Sequence, residues 1–145
     1  MIPYTLKHIL ILRLLMCYRF ESARSLQNLL FLASAEKTER QQLGVYDFVR
    51  TRTGAYSRTV RRILDELKKE GLIVEKPELC LTDKGREIYS SLGASLNPFF
   101  SFWSLCVDIV ERYGGNPENL NKAVFYNLIF RRAKLGERIF PSYLW

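Results

Sequence analysis

Residues 56–89 read YSRTVRRILDELKKEGLIVEKPELCLTDKGREIY, and this stretch decides the fold. Val60, Ile63, Leu64 and Leu67 recur at i, i+3, i+4 and i+7, the spacing of one helix face. Ser57 stands where an N-cap hydroxyl can accept from a free N–H of the first turn. Gly71 stands where a helix can close through a left-handed residue. A helix is therefore expected over about 57–70. Behind it, LIVE and LCLT are short apolar runs split by EKPE, which predicts a β-hairpin over about 72–82. Thr82 or Asp83 then caps a further helix carrying Ile88, Tyr89 and Leu92 and closed by Gly93.

Working upstream, residues 4–19 predict a first helix, with Leu6, Ile9, Leu10, Leu14 and Cys17 at helical spacing and Ile2, Ile11, Leu12 and Leu15 widening the stripe. A second helix is expected from Ala23 to Ala35, capped by Ser22 and buried through Leu26, Leu29, Leu30 and Ala33. EKTERQQLG reads as a polar loop, and YDFVRT as a short strand ended by Gly54. Downstream, Asn97-Pro98 opens an aromatic-rich helix broken by Gly114-Gly115, and Asn116-Pro117 opens a last helix running to about Leu135. The tail GERIFPSYLW shows no periodicity.

The order is helix, helix, short strand, helix, hairpin and three helices. The expected fold class is mainly α with a small β-hairpin (α+β): a winged helix-turn-helix with extra N- and C-terminal helices. Residues 1–95 would form the winged-helix domain and 96–145 a helical extension suited to dimerisation.

Apolar residues make up 48% of the 145-residue chain, enough for a core, and the net charge is +7. A small basic protein is drawn to polyanions. Cys17, Cys80 and Cys106 show neither zinc-ligand spacing nor a redox pair, as expected of thiols in a reducing cytoplasm. Lys7 and Arg13 interrupt the apolar N-terminal stretch, which falls short of the roughly 20 residues a membrane span needs. No membrane association is expected.

The charge is concentrated. Arg50, Arg52, Arg58, Arg61 and Arg62 fall within residues 50–62 without an intervening acid. On the helix, Arg58, Arg62, Asp65 and Lys69 lie opposite the apolar line, with Arg61 and Lys68 to one side and Thr59 to the other. Arginine donates a fork of hydrogen bonds that suits guanine O6 and N7 or a phosphate. Three cations in the first turns oppose the helix dipole, which makes them costly for the helix and points to a ligand. Arg50, Arg52, Ser57, Arg58, Thr59, Arg61, Arg62 and Lys69 are thus the candidate DNA contacts. The hairpin tip Glu75-Lys76-Pro77-Glu78 is net acidic and expected to contribute little, while Lys84 and Arg86 could touch backbone or serve the fold.

Through Val60, Leu64, Leu67, Gly71, Leu72, Ile73, Leu81, Thr82 and Gly85, residues 56–89 resemble the recognition helix and wing of the MarR and PadR groups of winged-helix transcription regulators. The resemblance covers about a quarter of the chain. It implies duplex DNA binding as a homodimer, usually for repression. Upstream, LQNLLFL and YDFVRTRTGAYS depart from the compact helix-turn-helix of those regulators. They are more similar to archaeal and phage-associated winged-helix proteins with a tyrosine-containing GxYS turn. Winged helices also serve as protein-docking modules, so an interaction module or antitoxin-like partner is the alternative.

In the aromatic segment, Phe99, Phe102, Trp103, Leu105 and Val110 are candidate dimer contacts or core, and a small-molecule effector pocket there is open. Catalysis is not expected. The single histidine, His8, lies in an apolar helix with no sequence neighbour for a dyad. No phosphate loop or nucleophile elbow appears, and no cofactor or metal is expected.

Overall fold

Helix α1 (Leu6–Cys17) is apolar on nearly every side, and the fold covers it accordingly: His8 to Leu12, Leu14 and Leu15 are buried. The computed structural model describes residues 4–36, 46–92, 100–114 and 117–139. After α1 comes α2 (Ala23–Ala35), whose N-cap Ser22 accepts from Ser25 N–H. Every residue of α2 from Ser25 to Ser34 is buried, which makes it the central post of the molecule. Strands β1 (Val49–Thr51) and β2 (Gly54–Tyr56) form a tight antiparallel hairpin, followed by α3 (Arg58–Lys69). Strands β3 (Ile73–Glu75) and β4 (Leu79–Leu81) form a second hairpin, followed by α4 (Asp83–Leu92), α5 (Phe100–Tyr113), α6 (Pro117–Tyr126) and α7 (Leu128–Arg132). The described residues thus form a mainly helical α+β fold with two small antiparallel sheets.

Each sheet gains a partner from far along the chain. Leu79 N–H donates to Phe20 O, so the residue between α1 and α2 pairs with β4. The C-terminal segment 136–139 pairs antiparallel with β1: Gly136 N–H donates to Arg50 O, Arg50 N–H to Glu137 O, and Ile139 N–H to Phe48 O.

α5 and α6 pack on α2, and α1 packs on α4 and β4. Phe102, Cys106, Ile109, Leu120, Val124 and Phe130 share one continuous core with Leu10, Leu26, Phe31 and Leu64. The C-terminal helices therefore complete the core around α2. The boundary expected at residues 95/96 lies outside the described residues, as do the Asn97-Pro98 start, Phe99 and most of the polar loop at 36–44.

Two expectations need correction. YDFVRT does not end as a lone strand at Gly54; Gly54 begins the return strand of a hairpin. The last helix is not continuous to Leu135, because Asn127 takes an extended conformation and its side chain caps Ile129 and Phe130 N–H, starting α7 afresh. The tail, which shows no periodicity, is held along β1 at residues 136–139.

Two glycines are required by geometry. Gly71 has φ +76°, with Leu72 N–H donating to Leu67 O and Gly71 N–H to Lys68 O, a Schellman close of α3. Gly85 lies against the backbone of Leu72, where a Cβ would collide with the Leu72 carbonyl oxygen. This close approach seats α4 on the chain leaving α3. Thr82 and Lys84 reinforce it by donating to Gly71 O and Glu70 O. Among the described residues no helix is long and apolar enough to cross a membrane.

Candidate nucleic-acid interface

The inner face of α3 buries Val60, Ile63, Leu64 and Leu67 completely, as its periodicity requires. The start of α3 is fixed by three neighbours. The Ser57 hydroxyl accepts from Val60 N–H and donates to Asp47 Oδ1, and the Thr59 hydroxyl donates to the same oxygen at 2.7 Å. Gln27 of α2 clasps the Ser57 backbone from both sides: its Oε1 accepts from Ser57 N–H at 2.6 Å and its Nε2 donates to Ser57 O at 3.3 Å. Ser57 is fully buried, so it positions the helix and is not itself a contact surface. Asp47 also supplies a carboxylate at the positive end of α3, which sequence spacing did not show because it stands ten residues before Ser57.

The outward face carries the cations, in different states. Arg58, Arg62 and Lys69 are exposed, and with Tyr56, Arg61, Asp65 and Glu66 they line an open depression of about 500 Å³ along α3. Among the described residues Arg58 and Lys69 form no ion pair. Arg62 makes one contact, to Glu66 Oε1 at 3.3 Å, while its side chain stays 62% exposed.

Arg61 differs. Its guanidinium holds Asp65 at 2.8 Å and Glu75 of β3 at 2.9 Å, and it is only 26% exposed. Lys68 reaches the same Glu75 at 3.0 Å. Hydrogen bonds from Arg61 and then Lys68 hold the Glu75 carboxyl below its ordinary range against the opposing effect of burial. Arg61 thus ties the second hairpin to α3. At that hairpin's tip, Glu78 accepts from Arg19 Nε at 2.6 Å, so both tip carboxylates are answered by cations from elsewhere in the fold.

Arg52 is exposed in the turn between β1 and β2. Arg50 is not on the α3 face. Its guanidinium donates to the carbonyls of Phe130, Arg131 and Ala133 at the end of α7 and lies 4.8 Å from the Phe130 ring centroid. The fold therefore brings Arg52, Arg58, Arg62 and Lys69 to the surface, turns Arg61 into a tie, and uses Arg50, Ser57 and Thr59 to hold local structure.

His8 has a partner that its sequence neighbours did not reveal. It is buried in α1, and its Nε2 lies 3.1 Å from Glu66 Oε1 of α3. Thr5 N–H donates to Nδ1, so Nε2 is the protonated nitrogen and donates to Glu66. Burial leaves this pair structural, joining α1 to α3.

Of the aromatic set, Phe102 is part of the core. Trp103 stacks on Tyr18 at 6.1 Å between ring centroids and carries Arg13 at 5.1 Å. Leu105 and Val110 are half-buried against the core. More exposed apolar side chains stand elsewhere: Tyr126 and Leu128 at the junction of α6 and α7, and Leu135 beyond it. Among the described residues no group of histidine, cysteine and carboxylate side chains could hold a metal ion. No family model, curated protein or solved structure matches this chain.

Proposed function

We propose that this chain is a winged-helix protein that binds duplex DNA, with α3 laid into the major groove and the β3–β4 hairpin as its wing. One observation carries the reading: the solvent side of a rigidly capped amphipathic helix presents Arg58, Arg62 and Lys69, two of them without an ion-pair partner among the described residues. Clustered cations on one helix face are the electrostatic footprint of nucleic-acid binding. The order of elements fits as well. α2 and α3, separated by the β1–β2 hairpin, precede the β3–β4 hairpin, and Phe20, between α1 and α2, makes a backbone bridge to β4.

In this arrangement Arg58 and Arg62, in the first turns of α3, reach deepest into the groove and read base edges. Lys69 and Arg52 meet phosphates. The wing is a minor contributor because its acids are already paired and its tip adds only Lys76. The test is binding to a random-sequence duplex across a salt series. A DNA binder loses affinity with a log–log slope near −0.9 per phosphate neutralised. Absence of binding at low salt rejects the reading. If binding occurs, selection from a genomic pool reports whether the protein acts as a sequence-selective transcription regulator.

A second reading has its own support. Tyr126 (73% exposed) and Leu128 (63% exposed) form apolar surface more exposed than any that Phe102, Trp103, Leu105 or Val110 of α5 offers. The dimer expected of a regulator, or docking on a larger assembly, would use this surface more readily than Phe102, which is buried. The mass of the Leu128→Glu protein in solution tests it: a native dimer should become monomeric.

A further inference from the structure

The segment 131–138 carries Arg131, Arg132, Lys134 and Arg138 against one acid, Glu137, and all five are exposed. Among the described residues none of the four cations has an ion-pair partner. The end of this segment is held beside β1 by an antiparallel backbone bridge. Arg138 is directly opposite Val49, and Val49 is directly opposite Tyr56. Residues directly opposite across an antiparallel ladder project to the same face. Tyr56, Val49 and Arg138 therefore form one row, and Tyr56 lines the arginine depression at the start of α3. Glu137, adjacent in sequence, accepts at Oε1 from Lys134 N–H within its own turn.

We propose that this C-terminal segment is a second DNA-contacting element, which grips the phosphate backbone beside the groove through Arg138, with Arg131, Arg132 and Lys134 adding field behind it. The proposal rests on the DNA-binding reading of α3. Two strand spacings put Arg138 roughly 10 Å from Tyr56 across the sheet. The major groove is about 12 Å wide and walled by phosphates. A helix start centred in the groove thus sets Arg138 over one wall, within reach of the backbone and away from base edges. The segment is held firmly enough to act as a fixed clamp. The Arg50 backbone bonds it on both sides, and the Arg50 guanidinium pins the preceding turn through Ala133 O at 2.7 Å. Arg50 is then a positioning residue for the clamp.

The experiment is a charge series at one position in the full chain: Arg138→Lys, Arg138→Ala and Arg138→Glu, with Arg58→Ala alongside. Melting temperature and the salt dependence of binding to random-sequence duplex are measured for each. Arg138→Lys should keep the native salt slope. Arg138→Ala should reduce the slope by about 0.9, which makes binding between 50 and 200 mM salt about three- to fourfold less salt-sensitive. Arg138→Glu should weaken binding further. All three should leave sequence preference unchanged. A native slope in Arg138→Ala together with weakened binding in Arg58→Ala overturns the clamp and leaves α3 standing. Absence of DNA binding by the native protein overturns both. Should Arg138→Ala lower the melting temperature, Arg138→Lys and Arg138→Glu decide: equal slopes in these two overturn the clamp, and a lower slope in Arg138→Glu supports it.

Discussion

Replacing Arg58 and Arg61 separately by alanine should give opposite results, although the two stand three residues apart on one helix. Arg61 bridges Asp65 and Glu75 with four hydrogen bonds, at 2.8 and 3.2 Å to Asp65 and at 2.9 and 3.3 Å to Glu75, and is mostly shielded from solvent. Exposed ion pairs contribute about 0–1 kcal/mol each, and charge-assisted forks contribute more. Lys68 continues to hold Glu75 once Arg61 is gone. A loss of about 1–2 kcal/mol follows, and for a chain of this size that lowers the melting temperature by about 3–8 °C. Arg58 touches no acid among the described residues, so its removal should change stability by no more than about 0.5 kcal/mol. Its effect should appear in DNA affinity, as a loss of about 1–3 kcal/mol, or roughly 5- to 150-fold, where it reads a base. Thermal melting and fluorescence anisotropy on the same samples separate the two quantities. An Arg61→Ala protein that melts like the native one but loses DNA binding would refute the division between tie and contact.

Two further outcomes follow from the same geometry. Gln27→Met keeps the bulk of that side chain but leaves the buried Ser57 N–H and C=O without partners, at about 1–3 kcal/mol for each group; thermal unfolding should shift down by roughly 10 °C, and an unchanged transition would mean that the clasp contributes nothing. The Glu75 carboxyl is held below its ordinary value of 4.5, so its contribution to stability is complete above that pH and is lost as pH falls through the lowered folded value. Glu75→Gln should accordingly melt below the native protein at neutral pH and converge with it in acid, and a gap that stays constant from pH 7 to pH 3 would contradict the pairing.

The parts of the fold that were legible in the sequence are those whose signal is local. α3 has its apolar line, its Ser57 cap and its Gly71 close within fifteen residues, and all three work in the structure as their spacing implies. α2 begins and ends where Ser22 and the run to Ala35 place it. What escaped depends on partners far away in the chain. The β1 and β2 strands are three residues each, too short for alternation to declare itself. Segment 136–139 is bridged into extended pairing only because β1, more than eighty residues earlier, offers an edge. Asn127 looks like an ordinary helical position until its side chain is seen capping two N–H groups.

The candidate interface shows the same division, and there it bears on function. Sequence counts cations along a helix, whereas the fold decides which of them are already bound. Arg61 and Arg62 are adjacent, each with an acid four residues on, so helical spacing treats them alike. The difference comes from β3, which places Glu75 against Arg61 and nothing against Arg62. Glu66, the acid beside Arg62, is shared with buried His8, which donates to the same oxygen from α1. Its charge is therefore drawn toward the interior, and Arg62 gives up only a single 3.3 Å contact to turn outward. Arg61 would have to release a fork on two carboxylates to do the same. The acids on this face thus sort its arginines: Glu75 removes Arg61 from the contact set, while Glu66, engaged from beneath by His8, leaves Arg62 available beside Arg58. In the proposed DNA-binding reading, a phosphate or guanine arriving at α3 would meet those two side chains first, with the hairpin that Arg61 secures holding the helix from the side.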